Sequence, residues 1–238
     1  MPSSTTIRVT DPFGAFLFET AAFLEIGNAP GLHYVLNCGQ VGAMTVTLPP
    51  DYNDLLLKDG RIHIMRSVNG GPAVREGGSC FLIRRWDYAD DYTIITALHA
   101  NDIMRRRAAL YSYVNASSDT DPYDDMIKFV FASNNTTVAF ITPSRLGGTT
   151  QYDIGSYISI QPDISALASI FKRYGYRNCM EVISEIADAA TLAGTFLAAE
   201  VVTPTESTLE LQTFTEQRGV DRRFSTGNGL IFASKRGN

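Results

Sequence analysis

Through its first hundred residues the chain breaks into short runs, apolar or alternating, with turn residues between them. Runs of that length, bounded in that way, are read as strands. "VGAMTVTLPP" (41–50) shows the pattern most clearly: Met44, Val46 and Leu48 point one way, Thr45 and Thr47 the other. That is the period of a half-buried strand. "FLFETAAFLEIGN" (16–28) and "LHYVLN" (32–37) are similar, and "GRIHIMRSV" (60–68) alternates Ile62 and Ile64 against His63 and Met65. "CFLIRRWDY" (80–88) and "YTIITALHA" (92–100) pair through the tight "ADD" turn, and the loop "NGGPAVREGG" (69–78) carries glycines of the hairpin type. Short strands at regular spacing favour a small barrel or sandwich over a parallel sheet.

The texture changes at Asn101, which is placed to cap a short helix running through Arg107. In "SSDTDPYDDMIKFVFASNN" Asp121 is the expected cap and Pro122 the first helical residue, with Asp124 and Asp125 at the positive end of the dipole. Tyr123, Ile127, Val130 and Phe131 then form one apolar face. Residues 138–163 read as a strand, a Gly-rich loop and a second strand, and "ISALASIFKRYG" (164–175) as a helix. A further helix starts at Asn178, with Glu181 at the reciprocal capping position. Its stripe is Cys179, Ile183, Ile186, Ala190 and Ala193, and Gly194 stands where it stops. Strands follow at 196–204 and 208–217, the latter with Leu209, Leu211 and Phe214 inward, and a last short one at 229–234. The fold class expected is α+β, mainly β.

The 238 residues suffice for one large domain or two modest ones. Twenty Lys and Arg against 25 Asp and Glu leave a net charge of −5. A dedicated nucleic-acid binder would show a basic excess; mild acidity suits a surface to which DNA must not adhere. Cys38, Cys80 and Cys179 are far apart, with no CxxC spacing, so neither a zinc site nor a disulfide framework is expected. The opening "MPSSTTIRVTDPFG" lacks a basic start followed by an apolar core, so a leader is not expected, nor is a membrane-spanning segment. Synthesis in a cytoplasm follows.

No reacting centre emerges. His33, His63 and His99 sit in or at the ends of strand patterns, and HExxH, GxSxG and GxxxxGK[ST] are absent. Two acidic groups remain: Asp87, Asp90 and Asp91 on a hairpin turn, and Asp119, Asp121, Asp124 and Asp125 around a helix start. Solvated turn residues and helix capping account for them, although two facing carboxylates would be what a glycosidase needs. The basic clusters are "IRRW" (83–86) and "MRRR" (104–107). In an acidic chain these are read as solvated or subunit-facing rather than phosphate-binding. No catalytic residue, cofactor or metal is assigned.

The order of motifs resembles the tail-hub (baseplate hub) family of long-tailed bacteriophages, siphophage type. "ALHANDIMRRRAALY" is similar to that family's acidic residue, hydrophobic pair and two arginines, with Asp102, Ile103, Met104, Arg106 and Arg107 in the matching places. Ala97 or Ala100 stands near where the family often has Gly. "DPYDDMIKFVFASNN" resembles the helix that follows, through Asp125, Met126, Lys128, Val130 and Asn134. "CMEVISEIADAATLAGTFLAAEVV", "LELQTFTEQRGVDRR" and "FASKRGN" resemble the family's later segments, so the similarity spans most of residues 15–238.

The resemblance implies a structural, non-enzymatic virion protein at the tail tip, built of tube-like β-barrel domains with α/β material between them. It implies an N-terminal barrel over residues 1–100, a middle segment over 101–195, and over 196–238 the beginning of a second barrel, the chain being either a shortened relative or one whose sheet another chain or segment completes. It further implies a homotrimeric ring between the tail tube and a host-recognition tip, through which DNA passes without specific binding. Its partners would be the tail tube or distal tail protein, the tape-measure protein and the tip or receptor-binding protein. Arg105, Arg106 and Arg107 are then expected at a subunit interface, pairing with a neighbour's carboxylates. Two other readings are a tail-tip cell-wall hydrolase using aspartates near Asp87 or Asp124, and a carbohydrate-binding module using Tyr and Trp on a β surface.

Overall fold

The computed structural model describes residues 3–27, 29–36, 39–68, 70–76, 80–109, 121–135, 158–162, 167–170, 174 and 177–215. Among them, the expected runs form β2 (Phe16–Thr20), β3 (Leu32–Val35), β4 (Ala43–Leu48), β5 (Arg61–Val68), β7 (Phe81–Tyr88) and β8 (Thr93–His99). Two further strands are β1 (Ser3–Thr10) and the short β6 (Val74–Arg75). They make one antiparallel sheet in the order β2-β1-β5-β7-β8-β4-β3, with β6 added to β5. β1 was not among the expected strands, yet it pairs along its whole length with β5, from Ser3↔Val68 to Thr10↔Arg61.

The alternation decides which face is inward. Ile7 and Val9, Met44, Val46 and Leu48, Ile62 and Ile64, Phe81 and Ile83, and Ile95 and Ala97 all converge on one buried cluster with Phe18. Each large apolar side chain so buried stabilises the fold by about 1.5–3 kcal/mol. Strands from both ends of the sheet reach the same cluster only because the sheet curls. Leu24, just after β2, donates its N–H to the Thr47 carbonyl of β4 at 3.0 Å. A 3-10 turn at Pro50–Leu55 lies at one end, where the Tyr52 ring stacks on Phe18 at 4.5 Å and its hydroxyl donates to Thr20 Oγ1 at 2.9 Å. β2 and β3 remain the two ends of the ladder, so among the described residues the first unit is a curled sheet and no closed barrel is formed.

The second core lies against the other face of β7, through Leu82. It is built by α2 (Tyr123–Asn135), α3 (Cys179–Leu192) and a sheet of β11 (Ile158–Ile160), β15 (Leu209–Phe214) and β14 (Ala198–Val202). β11 runs parallel to β15, and β14 antiparallel to it. Met126, Ile127, Val130 and Phe131 of α2 pack there with Cys179, Val182, Ile183, Ile186 and Ala190 of α3. The side-chain oxygen of Asn178 accepts from Met180 N and Glu181 N, which caps α3 as its sequence indicates. Gly194 takes φ +94° at the far end, while Ala193 is exposed and lies off the stripe. On β15 the buried face is Leu209, Leu211 and Thr213; Phe214 falls on the opposite face.

Other expectations change. Ser169–Ile170 (β12) pair as a strand with Asp121–Pro122 (β10), so a continuous helix over 164–175 does not form. Tyr123 opens α2, and Asp121 and Pro122 precede it as strand. Asp124 and Asp125 do lie in the first turn of α2, and Asp124 is in addition fully buried, with Lys128 Nζ 3.6 Å from its Oδ2. The residues expected as a final strand (229–234), Asp119 and Cys38 lie outside the described residues.

Candidate functional site

The β7–β8 register skips at Arg84: Ile83 faces Ala97 and Arg85 faces Thr96. The extra residue of such a bulge turns its side chain out of the ladder. Arg84 therefore leaves the sheet and reaches two carboxylates, Asp59, which it contacts through Nη1, and Asp102, whose Oδ2 is 2.9 Å from Nη2. Arg85 points to solvent and donates to Asp87 Oδ1 from Nε at 2.9 Å and Nη2 at 2.7 Å.

Each carboxylate is held by its backbone. Asp59 sits at φ +63°, a conformation that Asp tolerates better than most residues, and donates its N–H to the Ile83 carbonyl at 2.9 Å. The following Gly60 is required: a Cβ there would lie 2.9 Å from Leu57 O and 3.1 Å from Thr10 O. Asp102 opens α1 (Asp102–Arg105), a single turn after β8. It is 2 % exposed and also receives Arg105, from Nη2 at 2.6 Å and Nε at 2.9 Å. Burial lowers the Arg84 pKa, and the neighbouring Arg106 charge lowers it further against the opposing pull of Asp102. Asn101 does not cap this helix. Its side chain donates to Gln40 O at 2.9 Å and accepts from Val201 N at 2.7 Å, joining the two sheets.

The three arginines expected at a subunit interface thus separate. Arg105 is held on Asp102. Arg106 is exposed, with Nη1 3.3 Å from Asp59 Oδ1. Arg107 is half-buried, and its carbonyl accepts from Cys179 N at 2.8 Å, next to the pairing of β9 (Ala108–Ala109) with β13 (Arg177–Asn178). Arg106 and Arg107 enter one cleft of about 570 Å³, together with Lys58, Asp59 and Arg61. Its apolar walls are Leu82, Ile103, Ile158 and Leu209, with Pro12 and Phe13 at one side. Lys58 is exposed, whereas Arg61 is 1 % exposed, donating to Pro12 O at 2.7 Å and Glu206 O at 3.2 Å. Burial lowers the Arg61 pKa. Arg84 is signalled in the sequence by "IRRW" (83–86), whereas for Lys58, Asp59 and Arg61 the turn "LLLKDGR" (55–61) is the one local sign.

Candidates for other chemistry disperse. Asp87 is the last residue but one of β7 and is held by Arg85, while Asp124 is buried on α2 against Lys128. Asp90 and Asp91 are exposed at a turn. His99 accepts from Asn101 N at 3.2 Å through Nδ1, and His63 is wholly buried. No group of three or more His, Cys, Asp or Glu side chains able to hold a metal occurs among the described residues. No helix among them is long and apolar enough to cross a membrane. Trp86 is half-buried against the first core.

No family model matches the chain, and no curated protein matches it in sequence. Solved structures do resemble it. One is the prophage tail protein gp18 from Listeria monocytogenes, at a TM-score of 0.44 and 11% identity over 86% of this chain and 49% of that one. Another is the 43 kDa tail protein of prophage MuSo2 from Shewanella oneidensis, at a TM-score of 0.36 and 10% identity over 88% of this chain and 50% of that one. The chain spans about half the length of the structures it matches. A likeness of this size leaves function to be argued from the chain's own residues.

Proposed function

We propose that this chain is a structural component of a bacteriophage tail: a hub at the tail tip, three copies of which form a ring that joins the tail tube to the host-recognition tip and lets DNA pass. On this reading residues 1–100 and 196–238 form the wall of the ring and 101–195 the segment between them. The tube or distal tail protein, the tape-measure protein and the tip protein are its neighbours, and it carries out no reaction. The observation that carries this reading is the fate of the motif on which the resemblance rests. Asp102 is buried and committed to Arg84 and Arg105, Met104 is in the core, and Arg106 and Arg107 emerge in a cleft. A motif that fixes a joint and presents cations beside it suits assembly rather than turnover. A net charge of −5 also suits a wall past which DNA must slide.

The test is replacement of Arg105, Arg106 and Arg107 together by Ala. The Arg106–Asp59 pair is exposed and contributes about 0–1 kcal/mol, and the buried Asp102 keeps Arg84 as its partner when Arg105 is removed. The triple variant should therefore stay folded by circular dichroism. Analytical ultracentrifugation should find a trimer for the parent protein and a monomer for the variant. A trimer in both removes these arginines from the interface, and a monomeric parent at every concentration removes the ring.

A further inference from the structure

β7 and β8 are joined by a turn in which Ala89 N donates to Tyr92 O at 2.8 Å, leaving Asp90 and Asp91 at its apex. Both are exposed, and neither side chain makes a hydrogen bond or ion pair among the described residues. Tyr88, beside them, is 57 % exposed. The molecule thus holds out a small acidic knob with an aromatic flank. The arginine cleft has the opposite character. Four cations line it against the single carboxylate of Asp59, and its walls are apolar. Arg61 is buried at its back, with no hydrogen bond from Nε. A volume of about 570 Å³ falls within the about 300–1,000 Å³ of pockets that enclose most of what they bind.

Knob and cleft lie at opposite ends of one strand. Leu82, near the start of β7, lines the cleft, and Tyr88 ends β7 at the knob. At ~3.3 Å per residue the two are about 20 Å apart, so a chain cannot place its own knob in its own cleft. We propose that the Asp90–Asp91 turn of one copy inserts into the Lys58/Arg106/Arg107 cleft of the next. The two carboxylates meet the exposed Lys58 and Arg106, with Arg107 beside them and the buried Arg61 behind, and the Tyr88 ring meets the apolar walls. The contact is head-to-tail, and a head-to-tail contact generates a closed ring when its rotation is a whole fraction of a turn. This inference rests on the ring reading above and names the surfaces that build the ring.

The experiment compares sedimentation of three variants with the parent at several concentrations. D90R/D91R reverses the knob, K58E/R106E reverses the cleft, and the third carries all four changes. Each of the first two should weaken self-association by about tenfold or more, as close charge pairs at interfaces do. The fourfold variant should recover association to within about threefold of the parent, because the signs match again. Association of the parent should also weaken between about 50 and about 500 mM salt. A D90R/D91R protein that assembles like the parent overturns the proposed contact and leaves the ring standing; a parent that never assembles overturns both. Failure of the fourfold change to recover what each pair loses overturns direct pairing of knob with cleft. Should K58E/R106E melt well below the parent, K58E alone takes its place, since Lys58 is exposed and has no hydrogen bond or ion pair among the described residues.

Discussion

His63 occupies a position that few histidines take. It lies on the outer face of β5, wholly buried, and neither ring nitrogen has a hydrogen-bond partner. Burial, then the charges of Arg75, Arg61 and Arg8, lower its pKa from 6.5 to about 3. Those arginines come from β6, β5 and β1, so the ring is hemmed by positive charge from three strands. The unfolded chain takes up a proton on this residue near pH 6.5 and the folded chain does not until about 3. The stability tied to the neutral ring is therefore complete above pH 6.5 and declines as pH falls towards 3. With a limiting slope of about 1.4 kcal/mol per pH unit, the loss between pH 7 and pH 5 is about 2 kcal/mol. Urea unfolding at both values should show this loss, and His63→Gln should reduce the difference between them by about that amount. An unchanged difference in the variant would mean that the ring is charged in the fold or titrates freely. Nothing in "RIHIM" foretells this: alternation puts His63 opposite Ile62 and Ile64, which is where a solvated residue belongs. The arginines around it, Arg8, Arg61 and Arg75, are themselves tied to the turn after β14, far along the chain.

The elements were legible where one signal acted alone. β4 reads from its alternation, and α3 from Asn178, whose oxygen does cap Met180 and Glu181. β1 was missed because "SSTTIRVT" supplies Ile7 and Val9 and little else, and its order comes from pairing with β5 on one side and β2 on the other. The helix expected at 164–175 gave way at Ser169–Ile170, where the partner Asp121–Pro122 imposes a strand. Asn101 is the instructive failure. A cap was a sound reading of Asn before a helix, but its Oδ1 accepts from Val201 N of β14 and its Nδ2 donates to Gln40 O. A side chain that binds two backbones from distant segments holds two elements together. Asn101→Ala leaves a buried N–H and a carbonyl without this partner, at a cost of about 2–4 kcal/mol, well above the ~1 kcal/mol of a lost cap. Thermal unfolding distinguishes the two, and a loss near the smaller figure would return Asn101 to capping. The arginine cluster was legible as "MRRR", but its carboxylate Asp59 and the cleft wall Lys58 come from a turn about 45 residues earlier, brought near by the bulge at Arg84.

At the scale of the whole molecule, the question is what makes the curled sheet and the second core one body. The turn between β14 and β15 lies against the outer face of β1 and β5. Arg8 of β1 pairs with both Glu19 and Glu206. Arg61 donates to Glu206 O at 3.2 Å, and Arg75 to Pro204 O at 3.0 Å. Contacts between residues so distant in sequence leave no periodic trace, which is why neither the docking nor the covered histidine was visible beforehand. Gly14 is the point where the fit is closest. It takes φ +93°, and a Cβ on it would lie 2.2 Å from Ser207 Cα and 2.7 Å from Glu206 O. Gly14→Ala meets two obstacles at once, a left-handed backbone costing about 1–2 kcal/mol and a collision with main chain that only displacement of the turn can relieve. Gly70→Ala supplies the control, for Gly70 has φ +73° with nothing within 4 Å of the added carbon. The control should lose about 1 kcal/mol, and Gly14→Ala about 3 kcal/mol or more as the arginine contacts are released. The sole tryptophan, Trp86, reports on the first sheet alone, so its fluorescence can be compared with circular dichroism of both units during urea unfolding. If the turn couples the two cores, the probes coincide in the parent and separate in Gly14→Ala. Coincident transitions and a loss no larger than that of Gly70→Ala would place the coupling elsewhere, with Asn101 as the remaining bridge.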